Sequence, residues 1–196
     1  TGIDWLGEIP EHWEVKKLKY VVDLITGKSN GDLQKVGLEN IESNSGNFID
    51  TNSEFQGDGI KFIIGDILYG KLRPYLAKVL KCEFEGAAVG DFFVLRTKEN
   101  YLSEFIKFRL LSTSFTEISN SSTYGAKMPR VNWEFMAHLY FALPNKVEQT
   151  IAVQYIETET AKINIKAEKT KKLIELLGDY KQSLISEVVT GKVKVV

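Results

Sequence analysis

The chain has 196 residues, with 25 Lys and Arg against 26 Asp and Glu, a formal net charge of -1, 43% hydrophobic residues and 26% charged ones. This balance describes a folded protein with a real core; it excludes a disordered chain and a globally basic nucleic-acid binder, while leaving a local basic face open. Cys82 is alone, so an internal disulfide and a cysteine-built metal cluster are excluded, and His12 and His138 leave little for zinc or for a nucleophile, base and orienting acid.

The opening "TGIDWLGEIP" has neither a basic n-region nor an apolar h-region, and no apolar run approaches the roughly 20 residues of a membrane span. The expectation is a cytoplasmic protein with no membrane role. "WEVKKLKYVV" reads as a strand entering a helix with its charges toward water; Asp4, Glu14 and Lys16 mimic the acid-acid-Lys pattern of metal-dependent nucleases, but no Pro-Asp precedes them. In "VDLITGKSNG" the Gly27-Lys28-Ser29 tail of a phosphate loop lacks its first glycine, because Val22 stands five positions earlier, so a turn is the better reading.

"LENIESNSGNFIDTNSEFQGDG" carries Glu39, Glu42, Asp50, Glu54 and Asp58 with no basic residue and without the register of a calcium loop, which suggests a solvated loop or hairpin. The next stretch has the opposite character. "GDILYGKLRPYLAKV" sets Lys71, Arg73 and Lys78 among Tyr69 and Tyr75, with no carboxylate after Asp66 to neutralise them. "KFIIGDILYG" and "AKVLKCEFEGAAVGDFFVLRT" read as strands, and "YLSEFIKFRLLSTSFTEI" as a helix packed on the sheet.

A second polar surface follows in "SSTYGAKMPRVNW", where Tyr124, Lys127 and Arg130 surround a glycine. Cations position a protein on phosphates, and Arg, Lys, Asn, Ser and Thr read base edges. Neither segment has catalytic form, and a methyltransferase's Gly-rich cofactor loop and Asn/Asp-Pro-Pro clamp are both missing from the sequence.

After Pro144 the pattern changes. Asn145 and Glu148 have capping-box spacing, and the chain then runs to Thr190 without a proline and with a single glycine, Gly178. Ile156, Ile163, Thr170, Leu177 and Leu184 recur every seven residues, joined four residues on by Thr160, Ala167, Ile174, Lys181 and Val188. A helix of about 45 residues would reach roughly 65 Å, longer than a small domain is wide, so its seam calls for a second long helix, the alternative being a helix folded back on its own domain. The expected fold class is therefore α+β, with a globular domain over 1–144 and a long helix over 145–196 that forms an antiparallel coiled coil in a dimer.

Several stretches together resemble the specificity subunits of type I restriction-modification enzymes. "GIDWLGEIPEHWEVKKLKYV" is similar to the entry of their target-recognition domain, and "GLENIE" and "GDILYGKLRPYLAKV" to its interior strands. "MPRVNWEFMAHLYFALPNKVEQTIAVQYIETETAKI" resembles the exit into the long conserved-region helix, and "YKQSLISEVVTGKV" the close of that helix. Asn145 and Lys146 replace the usual second Pro and Leu, while Pro144, Glu148 and Gln149 match.

The resemblance implies a non-catalytic, DNA-reading protein with one recognition domain and one helical region, either a half subunit that dimerises or a fragment of a longer one. Tyr69, Lys71, Arg73, Tyr75, Lys78, Tyr124, Lys127 and Arg130 are the expected DNA-facing residues. Ile156, Ile163, Ala167, Ile174, Leu177, Leu184 and Val188 are the expected dimer and spacer seam. The implied partners are double-stranded DNA, methyltransferase subunits, a restriction subunit and a second copy of the chain. No cofactor or metal is expected on this chain; S-adenosylmethionine, ATP and magnesium belong to the partner subunits. A coiled-coil adaptor without DNA binding and a stand-alone DNA-binding regulator are the competing readings.

Overall fold

The runs of β-branched and aromatic residues between Glu14 and Leu143 form nine short strands, seen in a computed structural model that describes residues 2–29, 33–51, 55–123 and 127–194. They are β1 (Glu14–Lys17), β2 (Val22–Ile25), β3 (Lys35–Val36), β4 (Ile60–Phe62), β5 (Ile67–Gly70), β6 (Val79–Lys81), β7 (Gly86–Ala88), β8 (Phe92–Thr97) and β9 (Tyr140–Leu143). β2, β8, β5 and β6 pair in that order, all antiparallel; β3, β7 and β4 form a second sheet, and β1 pairs with β9. The helices are α1 (Ser103–Leu111), α2 (Thr113–Ser121), α3 (Trp133–His138) and α4 (Lys146–Val189).

β5 is buried at every position, and strand alternation explains how both faces are used. Leu68 faces the apolar layer shared with the second sheet, together with Val36, Phe62, Leu80, Cys82, Phe92 and Val94. Tyr69 faces the other way, its ring 6.0 Å from Phe115 of α2 and stacked 6.5 Å from Phe93. Gly70 closes the strand in a tight place, where a Cβ would stand 2.8 Å from Leu38 Cδ2 and 3.3 Å from Lys78 O.

The helix expected across residues 101–118 is two helices. Ser112 has extended backbone (ψ 144°) between them; its N–H bonds to the Arg109 carbonyl while its hydroxyl accepts from Phe115 N–H, so one residue ends α1 and caps α2. The helix expected after β1 is only a 3-10 turn, Leu18–Tyr20, before β2. Gly27–Ser29, the partial phosphate-loop pattern, pairs antiparallel with the Gly59–Lys61 edge through Ser29 N–H to Gly59 O and Lys61 N–H to Gly27 O.

The start of α4 shows why its sequence reads as it does. Asn145 Oδ1 accepts from Glu148 N–H at 3.0 Å, and the Glu148 carboxylate accepts from the Asn145 amide at 3.1 Å and lies 2.7 Å from His12 Nε2. Gln149 is buried, accepting from Leu102 N–H and donating to Pro144 O, both at 2.9 Å. Pro144, Glu148 and Gln149 are thus one joint. The chain divides into two units, Thr1–Ala152 and Val153–Val196. No helix among the described residues is long and apolar enough to cross a membrane.

Candidate nucleic-acid interface

The two segments singled out as polar surfaces are neighbours in space. Beyond β5 the chain continues as an edge on which residues 129–131 lie: Arg73 N–H donates to Pro129 O at 2.8 Å, Val131 N–H donates to Lys71 O at 3.0 Å, and Leu72 bridges Arg130. Arg130 therefore stands beside Lys71 and Arg73, with Lys127 and Met128 just before it in the chain and Tyr75 just after Arg73. Of these, Tyr75 and Met128 are about half exposed, at 48% and 49%.

Arg73 occupies a left-handed backbone conformation, φ 51° and ψ 63°, and Ala77 another, φ 43°, flanking the 3-10 turn Pro74–Leu76. Such conformations cost a side-chain-bearing residue on the order of 1 kcal/mol or more and concentrate at functional sites. Proline at the first position of the turn fixes φ there and lacks the N–H that would need a partner. The Arg73 side chain is exposed and, among the described residues, its guanidinium has no hydrogen-bond or ion-pair partner.

The other cations differ. Arg130 makes a two-pronged contact to Asp91, Nε to Oδ1 at 3.1 Å and Nη2 to Oδ2 at 2.9 Å, and Lys71 Nζ lies 4.0 Å from the same carboxylate and 5.6 Å from the Phe93 ring centre. The hydrogen bonds that Arg130 donates to Asp91 hold the pKa of its guanidinium above its ordinary value. The basic stretch is thus not without a neutralising acid, as its local sequence suggested, because β8 pairing delivers Asp91 to it.

Two expected contacts are taken up within the fold. Tyr69 is 2% exposed, and burial pushes its phenol up to about 12; its ring belongs to the aromatic layer with Phe93 and Phe115. Lys78 donates to the carbonyls of Leu38, at 2.7 Å, and Ile41, at 2.9 Å, so it clamps the backbone at the start of the acidic stretch. Neither is placed to face DNA. Tyr124 lies outside the described residues. Along α4, Ile163, Ala167, Ile174, Leu177 and Leu184 are exposed, and Ile156 and Val188 half-buried.

Of the loop and hairpin expected for the acidic stretch, residues 41–48 take the hairpin form; Glu54 lies outside the described residues. Ile41 bridges Phe48, Glu42 accepts from Ser45 and Asn47, and buried Asn40 donates to Ile49 O and Thr51 Oγ1. Glu14 and Lys16, the nuclease-like pair, neutralise one another.

No family model matches the chain. It is 23% identical over 196 residues to the type I restriction enzyme EcoDI specificity subunit of Escherichia coli, covering 95% of this chain and 44% of that protein. It is 27% identical over 211 residues to the type I restriction enzyme MjaVIII specificity subunit of Methanocaldococcus jannaschii, covering 97% and 48%. The chain thus spans about half the length of these relatives. Its fold matches a chain from a structure of complex assembly and conformational transition in a type I R-M system, TM-score 0.70 at 13% identity over 92% of this chain and 46% of that one. It also matches the HsdS subunit from Thermoanaerobacter tengcongensis, TM-score 0.62 at 18% identity over 80% and 44%.

Proposed function

We propose that this chain, a relative of type I restriction enzyme specificity subunits along nearly all of its own length and about half of theirs, is one recognition half of such a subunit. Its first unit contacts one half of a split duplex site. The long helix pairs with a second helix and sets the gap between halves, and two copies related by a two-fold axis would read a palindromic bipartite site. The chain performs no chemistry itself. Methyltransferase and restriction subunits dock on it and carry S-adenosylmethionine, ATP and magnesium, and the complex works in the cytoplasm.

The observation that carries DNA contact is Arg73: an exposed guanidinium with no described partner, on strained backbone, between Tyr75 and the Lys127–Arg130 segment. Arg73→Ala is expected to weaken duplex binding by about 1 to 3 kcal/mol if the guanidinium reads a guanine. Wild-type affinity and an unchanged salt slope in a DNA titration would remove Arg73 from the interface.

Asp91→Asn should act in the opposite sense. It preserves shape while releasing Arg130 and Lys71 from their shared carboxylate, so duplex affinity at low salt should rise and the slope of log K against log[salt] should steepen by about 1 to 2. Fluorescence anisotropy between 50 and 200 mM salt measures both, and weaker binding would mean that Asp91 orders Arg130 for its contact. Methylation-site sequencing of cells with and without the chain would identify the target.

A further inference from the structure

A second cationic surface lies at the other end of α3. Alternation along β1 puts Glu14 and Lys16 on one face, where Lys16 also meets the Tyr101 hydroxyl at 3.2 Å, and Lys17 on the other. There Lys17 pairs across with Tyr140, and its ammonium lies 5.4 Å from that ring's centre. Lys19 follows in the 3-10 turn, 5.3 Å from the Tyr20 ring and 3.0 Å from His138 Nε2. Tyr20 is 58% exposed and Tyr140 36%.

The local acids are mostly engaged elsewhere. Glu14 pairs with Lys16, and Asp23 with Lys98 at 3.3 Å. Glu134, one turn before His138 on α3, supplies an opposing charge, and no carboxylate among the described residues pairs with Lys17 or Lys19. His138 holds Lys19 in place. Its Nδ1 lies 2.7 Å from Glu134 O, which can only accept, so Nδ1 carries the proton and Nε2 accepts from the Lys19 ammonium.

We propose that Lys17 and Lys19, on their platform of Tyr20 and Tyr140, form a second contact to the phosphate backbone of the same duplex that meets Arg73. This rests on the DNA-binding reading above. Ammonium groups on flexible stems, lacking the flat fork that reads base edges, suit phosphates. α3 fixes the spacing. Its first residue follows the Arg130–Asn132 segment and its last is His138, so its six residues, about 9 Å of helix axis, run from one surface to the other. The Arg73 end is placed to carry sequence preference, and the Lys17–Lys19 end affinity without it.

The test is anisotropy of the full chain with 30-base-pair duplexes of unrelated mixed sequence, between 50 and 200 mM NaCl. K17Q/K19Q is expected to lower the salt slope by about 1.8, on the order of 0.9 for each phosphate that is no longer neutralised, and to weaken all duplexes alike, on the order of tenfold at 50 mM. K17R/K19R keeps the charges and should restore the slope, while matched melting curves check that both variants fold. A variant with wild-type slope and affinity, beside a wild-type chain that binds, overturns the patch alone; if that variant instead loses a methyltransferase subunit on co-purification, the surface is a protein dock. A wild-type chain showing no salt-dependent duplex binding overturns the DNA reading itself.

Discussion

With Ile163 and Leu177 both replaced by aspartate, the chain should scatter light as a monomer at micromolar concentration, where the unsubstituted chain is expected to be a dimer. The two side chains are 62% and 56% exposed, alongside Ile174 at 66% and Leu184 at 41%, on a helix of 44 residues. A stripe of this size calls for a cover. The seam from Ile156 to Leu184 is centred on Thr170, so in an antiparallel pair crossing there, Ile163 of one helix faces Leu177 of the other. Each substitution occurs twice in a symmetric pair, which removes four large apolar side chains. At about 1.5 to 3 kcal/mol per buried side chain the loss is roughly 6 to 12 kcal/mol, before apposed like charges are added. A nanomolar association is worth about 12 kcal/mol, so the pair should separate. A dimer that survives both aspartates would place its interface away from this seam.

The long helix is legible because its signals are local: a cap at Asn145, a heptad repeat, and no proline before Thr190. The joint beneath it is not, since Gln149 meets Leu102 N–H, 47 residues away. The basic stretch shows the same division. Its surface cations can be found by composition, but Tyr69 and Lys78 cannot be separated from Arg73 without knowing which neighbours the sheet supplies. Asp91 is a matter of register. Gly70 pairs with Phe92 across β5 and β8, and one step further places Lys71 opposite Asp91, a consequence that needs the pairing and not the residues alone. In sequence the Lys17–Lys19 surface looks like ordinary solvated charge, because the ring under Lys17 comes from Tyr140 and the tether of Lys19 from His138, both more than 110 positions on. Ser112 divides one expected helix into two because its hydroxyl serves the backbone of the second, the competition by which serine favours caps over helix interiors.

Asp66→Ala is expected to be strongly destabilising beneath the recognition surface, because Asp66 immediately precedes the strand that delivers Arg73. Its side chain is buried, 1% exposed, and accepts at 2.8 Å from both Arg96 Nε and Nη2, and at 2.9 Å from Ile63 N–H. These contacts hold the turn from β4 into β5, where Gly65 has φ 88°. Alanine leaves the part-buried Ile63 N–H without its side-chain acceptor and removes the two-pronged partner of Arg96, which keeps its own solvation because it is 42% exposed. The cost is therefore below that of breaking a fully buried pair, about 2 to 4 kcal/mol. For a chain of this size that lowers Tm by roughly 4 to 16 °C, at about 2 to 4 °C per kcal/mol, read by calorimetry at fixed protein concentration. Asp66→Asn should fall between, retaining an acceptor for Ile63 N–H but losing the charge. Asp58→Ala is the control, since the Lys28–Asp58 pair spans 3.5 Å with both side chains at least 70% exposed, and pairs of that kind contribute about 0 to 1 kcal/mol. Equal Tm shifts for Asp66→Ala and Asp58→Ala would show that the turn is held by its backbone and packing rather than by this carboxylate.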